Sequence, residues 1–331
     1  MNYEVRNTLG KSEWQKGASP LLTLLLDNRQ ITNSLESFSR PDYEKSIHDP
    51  LTISGMSRAI ERILHALNNN EHVAIYSDYD CDGIPGAVVF SDFFKKIGYE
   101  NITFYIPHRH KEGYGLNIAA MDTLCKKGVS LIITVDLGIT NIKEVAHAKQ
   151  IGMDVIVTDH HLPHVEIVDG VERQILPPAY EVINMKKTDE TYPETMLCGC
   201  ATAWKIVCGL LAYSRSESVE KIGVWGAKIA EIPYGWEKWS LDMVGLSTIA
   251  DMVPLTGENR VLAYYGLKVL RKSKRPGLRA LLASARANQD SLTEDDVGFT
   301  IAPRLNAASR MDTPELAFTL LSTDNPAQSH E

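Results

Sequence analysis

Short apolar runs and segments with helical spacing alternate along the chain from about residue 71 to residue 190. The apolar runs, rich in β-branched residues, predict strands at residues 72–77, 101–106, 131–135, 154–158 and 181–185. Apolar residues that recur every three or four positions predict helices at residues 84–97, 118–127 and 141–150. This alternation predicts an α/β fold, with a parallel sheet of five or more strands and helices on both faces.

The pattern becomes mostly helical after residue 198. Helices are predicted there at residues 201–213, 219–232, 241–249, 259–271, 277–287 and 294–301. One more helix, at residues 57–68, is predicted before the first strand. We therefore expect one main domain at residues 51–312, with an α/β part at about 71–190 and a helical part at about 198–312. Residues 1–50 are expected to form an irregular N-terminal extension, and residues 313–331 the start of a linker helix toward a further domain.

Composition and charge restrict the class of protein but not its chemistry. The 331 residues are 44% hydrophobic and 23% charged, ordinary values for a soluble globular chain. The net charge of −8 gives no bulk attraction for nucleic acid, so such binding needs a local basic surface or metal ions. The five cysteines suggest no disulfide framework, and neither a signal peptide nor a membrane-spanning run is recognised. We expect a cytoplasmic protein with reduced thiols and no membrane contact.

Three aspartates follow the first predicted strand at alternate positions: Asp78, Asp80 and Asp82. Carboxylates this close repel one another and raise each other's pKa, so the arrangement favours a bound cation. A calcium loop would need a glutamate at its twelfth position, which is Val89 when counted from Asp78, and the calcium interpretation fails. A solvated acidic turn remains the alternative to a metal site.

The third and fourth predicted strands also end in ligand-type side chains. Asp136 follows the third strand, where it would either face the sheet edge or cap the helix that starts near Thr140. The fourth strand ends in Asp159, His160 and His161. Because the carboxyl ends of parallel strands meet at one edge, these side chains are expected to converge with the first aspartates. Carboxylates with imidazoles suit manganese, magnesium or zinc, and several ligands allow a two-metal site.

Five motifs in order resemble those of the DHH phosphoesterase superfamily. They are DYDCDG, TVDLGI, VTDHHLP, STIADMVPL and APRLNAASRM, and the resemblance extends over about residues 71–312. The residues within these motifs are similar to those of the RecJ-like branch, the single-strand-specific exonucleases. The resemblance implies a catalytic domain with two divalent cations, usually Mn²⁺, that hydrolyses single-stranded DNA from the 5′ end. It also implies a DHH-associated domain, which the residues after Asp312 do not supply.

The resemblance assigns roles to individual residues of these motifs. Metal ligands are expected at Asp78, Asp80, Asp82, Asp136, His160 and Asp251. Asp136 is expected to bridge both ions, and catalysis is expected to depend on Asp136, His160 and His161, with His161 beside the scissile phosphate. Asp159 is expected to orient a histidine from outside the ligand set.

Contacts to single-stranded DNA are expected near the same edge. By family likeness Arg109 would bind a phosphate, and Tyr114 would either stack on a base or only pack its loop. Contacts to the phosphate backbone or the 5′ end are expected from Arg304, Asn306 and Arg310. The basic segment 271–279 would be either a solvated helix end or a guide for the strand.

Two cysteine features have competing interpretations. Cys198 and Cys200 with Cys208 suggest a zinc site, but no second pair or suitably spaced histidine accompanies them, which favours buried free thiols. Cys81 lies inside the first acidic motif, where we expect it to make the site sensitive to oxidation or soft metals.

Three functions are compatible with these expectations. The leading one is a 5′→3′ exonuclease for single-stranded DNA, or its catalytic core, that acts in repair and recombination beside repair or replication proteins. The second is a phosphodiesterase for short oligonucleotides, cyclic dinucleotides or pyrophosphate, which would favour a helical region without APRLNAASRM. The third is a non-catalytic DNA- or protein-binding subunit, which the presence of every motif acid and both histidines disfavours.

Overall fold

A five-stranded parallel sheet forms the centre of the computed structural model, which describes residues 19–29, 31 and 35–330. The strands are β1 (His72–Ser77), β2 (Ile102–Tyr105), β3 (Val129–Val135), β4 (Asp154–Thr158), β5 (His164–Val168), β6 (Val171–Ile175) and β7 (Glu181–Ile183). The sheet order is β2-β1-β3-β4-β7, parallel throughout, and β5 and β6 pair as a separate antiparallel hairpin. The predicted α/β fold is confirmed.

Helices precede the sheet, alternate with its strands and dominate the second half of the described chain. They are α1 (Pro20–Asn28), α2 (Leu35–Ser39), α3 (Tyr43–Ser46), α4 (Met56–Asn68), α5 (Gly83–Ile97), α6 (Ile118–Lys126), α7 (Ile142–Gln150), α8 (Gly199–Ser216), α9 (Val219–Ala230), α10 (Leu241–Ala250), α11 (Gly257–Leu270), α12 (Pro276–Ser284), α13 (Glu294–Asp296), α14 (Ala302–Arg310) and α15 (Pro314–Ser322). A π-helical segment, Val297–Ile301, joins α13 to α14. None of the described helices is both long and apolar enough to cross a membrane.

Successive residues of β1 face opposite sides of the sheet. Val73 and Ile75 belong to a core that includes residues of α4, α5 and α8. Ala74 and Tyr76 belong to a second core that includes residues of α6 and α7. Both faces of the sheet are therefore covered by helices, as is usual for parallel sheets, and the strand ends remain for binding.

The strand order reverses at β1, since β2 lies on one side of it and β3 on the other. In open α/β sheets, a crevice for ligands lies at the carboxyl ends of the strands beside such a reversal. The hydrogen-bond ladder extends into this crevice, because the N–H groups of Asp78, Asp136 and Asp159 each donate to a carbonyl of the neighbouring strand at 3.1 Å. The first residue after each of β1, β3 and β4 is thus held by the sheet.

Helices α10 and α11 cross closely, and this crossing helps to place the end of α10 beside the crevice. Gly245 of α10 and Gly266 of α11 touch through their backbones, and a Cβ added to either would lie 2.4 Å from the other's Cα. Asp251 is the C-cap of α10. The crossing therefore helps to determine where Asp251 meets the sheet edge.

Several segments differ from the prediction. The β5–β6 hairpin lies where no strand is predicted, and α14 lies where no helix is predicted. The N-terminal extension is helical in α1–α3, while residues 1–18, 30 and 32–34 lie outside the described part of the chain. The linker helix predicted at residues 313–331 ends at Ser322, and its Phe318 stacks on Phe104 of β2 with ring centroids 4.8 Å apart. The domain boundaries remain a prediction.

Candidate metal centre

The three aspartates after β1 have different environments. Asp80 Oδ1 accepts the backbone N–H groups of Asp82 and Gly83 at 2.8 and 3.0 Å, which fixes the turn into α5. Asp82 accepts two N–H groups from the start of α8, at 2.6 and 2.8 Å. Asp78 Oδ1 is buried without a hydrogen-bond partner. The loop therefore leaves carboxylate oxygens free to bind a cation.

Asp136 lies at the end of β3 in the left-handed backbone region, with φ 62°. Its side chain is buried, and its Oδ1 has no hydrogen-bond partner. The alternative role as a helix cap is not observed, because Asn141 is the N-cap of α7. Asp136 therefore faces the crevice.

His160 lies among carboxylates from three elements. Its Nε2 is 3.1 Å from Asp136 Oδ1 and 3.6 Å from Asp82 Oδ2, and its Nδ1 is 3.7 Å from Asp251 Oδ2. Neither Nδ1 nor Asp136 Oδ1 makes a hydrogen bond that meets normal geometry. These atoms are close enough to share a small ion and are otherwise unsatisfied.

Asp159 has a supporting position. It accepts the N–H groups of Ile139 at 2.9 Å, of His160 at 2.7 Å and of His161 at 3.1 Å. Its Oδ1 also lies 2.8 Å from the imidazole Nδ1 of His161. With both oxygens occupied, Asp159 orients His161, whose Nε2 is left for other contacts.

Three groups of side chains among the described residues bring ligand atoms within 4.8 Å of one another. They are Asp136, His160 and His161; Asp82, His160 and Asp251; and Asp78, Asp80 and Asp136. Asp136 belongs to the first and third groups and His160 to the first and second, so the three groups form one centre. Mixed carboxylate and imidazole ligands with unpaired buried atoms fit two divalent cations such as Mn²⁺ or Mg²⁺.

The electrostatics of this centre also favour cations. Burial, together with the nearby charge of Asp80, raises the pKa of Asp78 to about 8. Burial and the charge of Asp82 raise the pKa of Asp251 to about 7, and burial raises the pKa of Asp82 and of Asp136 as well. Crowded carboxylates without counter-charge explain these shifts, and a divalent cation would reverse them by stabilising the ionised forms.

The pKa values of the two histidines are shifted in opposite directions. Burial lowers the pKa of His160, which favours the neutral imidazole that binds metals. The hydrogen bond with Asp159 raises the pKa of His161, although burial opposes it. Burial alone would raise the pKa of Asp159, but its hydrogen bonds outweigh burial and lower it. His160 thus resembles a ligand and His161 a cationic donor.

A cleft of about 270 Å³ lies over the centre. Of the residues expected to contact DNA, it is lined by Arg109, Tyr114, Asn306 and Arg310. The guanidinium of Arg109 lies 5.2 Å from the ring centroid of Tyr79, and the hydroxyl of Tyr114 lies 3.3 Å from His161 Nδ1. Four of the five expected contacts therefore surround the same opening.

Arg304 and Asn306 differ from the expectation. Arg304 does not line the cleft, because its guanidinium turns back along the helix and donates to the carbonyl of Thr300 at 2.7 Å. Asn306 lines it but uses Oδ1 to accept the N–H of Cys81 at 2.7 Å. Asn306 thereby anchors the acidic loop, a role that the sequence did not indicate.

The cysteine expectations have different outcomes. All five cysteines are free; Cys198 and Cys200 are buried, Cys208 is half-buried, and the ligand groups found among the described residues contain no thiol. Cys81 is buried in the apolar core, and burial raises the pKa of its thiol. Burial and the raised pKa disfavour the thiolate that oxidation requires, and the expected sensitivity to oxidation or soft metals stays a prediction.

The basic segment 271–279 is largely part of the fold. Arg271 donates to the carbonyl of Leu292 at 2.8 Å, and Arg279 to that of Ser273 at 3.2 Å. Arg275 pairs with Asp92 and Asp242. The remaining cations, Lys272 and Lys274, are exposed.

Comparisons with known proteins agree with the motifs. The DHH family, N-terminal domain, matches residues 72–232. The single-stranded-DNA-specific exonuclease RecJ of Bacillus subtilis is 35% identical over 288 residues, which are 87% of this chain and 33% of that protein. The RecJ of Escherichia coli is 33% identical over 311 residues, 92% of this chain and 50% of that protein. The chain thus spans between a third and about half of these relatives.

Solved structures show the same likeness in three dimensions. Exonuclease RecJ bound to manganese matches with a TM-score of 0.69 and 30% identity, over 86% of this chain and 64% of that one. RecJ in complex with Mn²⁺ from Thermus thermophilus matches with a TM-score of 0.68 and 26% identity, over 94% of this chain and 40% of that one. Residues 72–232 therefore form a DHH-family N-terminal domain, and the chain is similar to RecJ exonucleases over most of its own length.

Proposed function

We propose that the chain is a metal-dependent phosphodiesterase, namely a 5′→3′ exonuclease for single-stranded DNA or the catalytic core of one. The supporting observation is the convergence of three buried ligand atoms without partners at one sheet edge: Asp78 Oδ1, Asp136 Oδ1 and His160 Nδ1. An unsatisfied buried polar atom costs about 1–3 kcal/mol, so three together need an additional binding partner. Divalent cations provide it.

The cations would be two Mn²⁺ or Mg²⁺ ions. Their proposed ligands are Asp78, Asp80, Asp82, Asp136, His160 and Asp251. When bound, the ions supply a lowered pKa for the attacking water and charge neutralisation on the phosphate. Asp136 belongs to two of the three ligand groups, which supports its proposed role as the bridge.

The other residues of the cleft bind and orient the substrate. His161, held by Asp159 and biased toward the imidazolium, donates a hydrogen bond to a phosphate oxygen or a proton to the leaving oxygen. Arg109 and Arg310 attract the phosphates, and the half-exposed ring of Tyr114 offers a stacking surface for a base.

The substrate class is inferred from the relatives, which are named as single-stranded-DNA-specific exonucleases. Since the chain spans at most about half of those proteins, its own polarity and strand length are part of the proposal. We further infer action in the cytoplasm on 5′ ends during DNA repair and recombination, together with repair or replication proteins.

Labelled substrates test the activity and its polarity. The chain is incubated with Mn²⁺ and single-stranded DNA labelled at the 5′ or the 3′ end, a dinucleotide, or pyrophosphate. Stepwise loss of nucleotides from the 5′ end is expected. Degradation of the dinucleotide or pyrophosphate alone would favour a small-substrate phosphodiesterase, and no hydrolysis would favour a non-catalytic subunit.

Variants of the centre test where the reaction occurs. Asp136→Ala and His160→Ala should each abolish Mn²⁺-dependent hydrolysis while leaving the circular dichroism spectrum unchanged. Near-normal turnover in both would refute the proposed centre.

A further inference from the structure

The start of α8 holds one of the proposed metal ligands by its backbone. Gly199 N–H donates to Asp82 Oδ2 at 2.6 Å, and Cys200 N–H donates to Asp82 Oδ1 at 2.8 Å. Each carboxylate oxygen thus accepts one hydrogen bond and keeps a further lone pair for a cation. The N–H groups of a first helical turn suit this role, because they have no acceptor within the helix.

Gly199 also makes room for a second ligand. A Cβ at this position would lie 2.5 Å from Asp136 Cβ and 2.7 Å from its Cγ. The backbone of Gly199 is not in the left-handed region, so its conformation does not require glycine. Alanine has the higher helix propensity, and only the space for Asp136 demands glycine here.

We propose that Gly199 and Cys200 are positioning residues of the metal centre, which set the relative placement of Asp82 and Asp136 and thereby the affinity for the cations. The inference rests on the proposed function, since it concerns the same site. The Cys198-Gly199-Cys200 segment, whose thiols suggest a zinc site by their spacing, acts instead through two backbone N–H groups and one missing side chain.

Gly199→Ala is the first test. The added methyl group would force Asp136 or the start of α8 to move, and Asp136 is short, buried and fixed by the sheet. Loss of such outer support typically weakens metal affinity 10- to 100-fold. Gly209→Ala on the same helix is the matched control, because its Cβ would meet only the side-chain ends Ile60 Cδ1 at 2.9 Å and Met56 Sδ at 3.2 Å.

Cys200→Pro is an independent test that adds no atom at position 199. Proline is tolerated in the first helical turn but lacks the N–H, and the preceding Gly199 has no Cβ to clash with its ring. Cys200→Ala is the control, because it removes the same thiol and keeps the N–H.

Mn²⁺ binding is measured by electron paramagnetic resonance titration, and folding by circular dichroism. Gly199→Ala and Cys200→Pro should bind Mn²⁺ at least about 10-fold more weakly than the wild type, with both controls within about twofold. If both variants fold and bind like a wild type that is itself active, the positioning role is refuted while the proposed function stands. A wild type that binds no Mn²⁺ would refute both.

Discussion

Four buried or half-buried aspartates with raised pKa values lie within one small volume beside His160. In the absence of cations, each additional negative charge there opposes folding, because burial and like charges both disfavour ionisation. The proposed metal ligands therefore reduce the stability of the metal-free protein. Asp136 illustrates this best, since it is the most crowded by other carboxylates.

Asp136→Asn removes this charge with little change of shape. It should raise the unfolding free energy of the metal-free protein by about 1–3 kcal/mol. It should also remove the stabilisation by Mn²⁺, which for the wild type is about 2.7 kcal/mol at a concentration of 100 times Kd. Thermal unfolding with and without Mn²⁺ measures both effects, and Asp295→Asn on an exposed side chain is the control. Full Mn²⁺ stabilisation in Asp136→Asn would contradict the assignment.

The sequence predicts ligands at strand ends better than it predicts their supports. Asp78, Asp136 and His160 each follow an apolar run, so pattern alone indicates a common edge. The supports lie far away in sequence: Gly199 contacts Asp82 across 117 positions, and Asn306 contacts the loop across 225. Since no local pattern encodes such a contact, only the folded chain reveals it.

At the scale of elements, one arginine fastens a helix to the sheet. Arg62 of α4 is buried and lies 2.7 Å from both Glu71, which precedes β1, and Asp154 of β4. Burial alone would raise the pKa of Glu71, but hydrogen bonds from Arg62 and Ser130 outweigh it and lower the pKa. The ionised Glu71 is therefore a stabilising group.

Glu71→Gln tests the pH dependence of this contact. Because the pKa of Glu71 is lower in the folded state, its contribution is present above its unfolded value of about 4.5 and is lost as the pH falls through the folded value. At pH 7 the variant should be less stable by about 1–3 kcal/mol. The difference from the wild type, measured by urea unfolding, should shrink below about pH 4.5. The exposed Glu172→Gln should show no such trend.

The glycine crossing of α10 and α11 permits another test. At Gly266 an added Cβ would lie 2.4 Å from Gly245 Cα and 2.9 Å from the carbonyl oxygen of Leu241, both backbone atoms that cannot rotate away. Gly266→Ala should therefore cost up to about 3 kcal/mol of unfolding free energy. Gly298→Ala, whose Cβ would meet nothing within 4 Å, should cost far less in the same urea titration.

Helices and strands are predictable where the apolar periodicity is strong. The β5–β6 hairpin is not among the predicted elements, although its sequence contains a turn signal. The β5–β6 hairpin has alternating apolar residues around Asp169-Gly170, and both of these residues have positive φ. Such a pair between alternating runs is typical of a two-residue hairpin turn. The hairpin departs from the strand–helix alternation of the surrounding chain, so that alternation does not predict it. By contrast, α14 contains Pro303 and Asn306, and a short polar segment of this kind predicts a turn as well as it predicts a helix.

For the whole molecule, the distribution of positive charge indicates which surface would bind the proposed single-stranded DNA substrate. The arginines of segment 271–279 are occupied within the fold, whereas Arg109 and Arg310 line the cleft. In a protein of net charge −8, we therefore expect few phosphate contacts and a shallow salt dependence.

Two double variants compare these surfaces in a His161→Ala background, which is expected to prevent cleavage. Arg109→Ala with Arg310→Ala should weaken binding of a single-stranded oligonucleotide and make the slope of log K against log salt less negative by about 1.4. Lys272→Ala with Lys274→Ala should leave both affinity and slope nearly unchanged. Fluorescence anisotropy at several salt concentrations measures the slope, and the opposite ranking would locate the strand on the basic segment.

The N–H groups of Asp78, Asp136 and Asp159 that donate across the sheet have a consequence for hydrogen exchange. Their protons can exchange with deuterium only when β1, β3, β4 and β7 separate, and such openings have free energies close to that of global unfolding. We therefore expect an opening that disorders these three acids to disrupt the sheet as well. A bound cation accordingly slows exchange throughout the sheet, and loss of the site on heating coincides with loss of the fold.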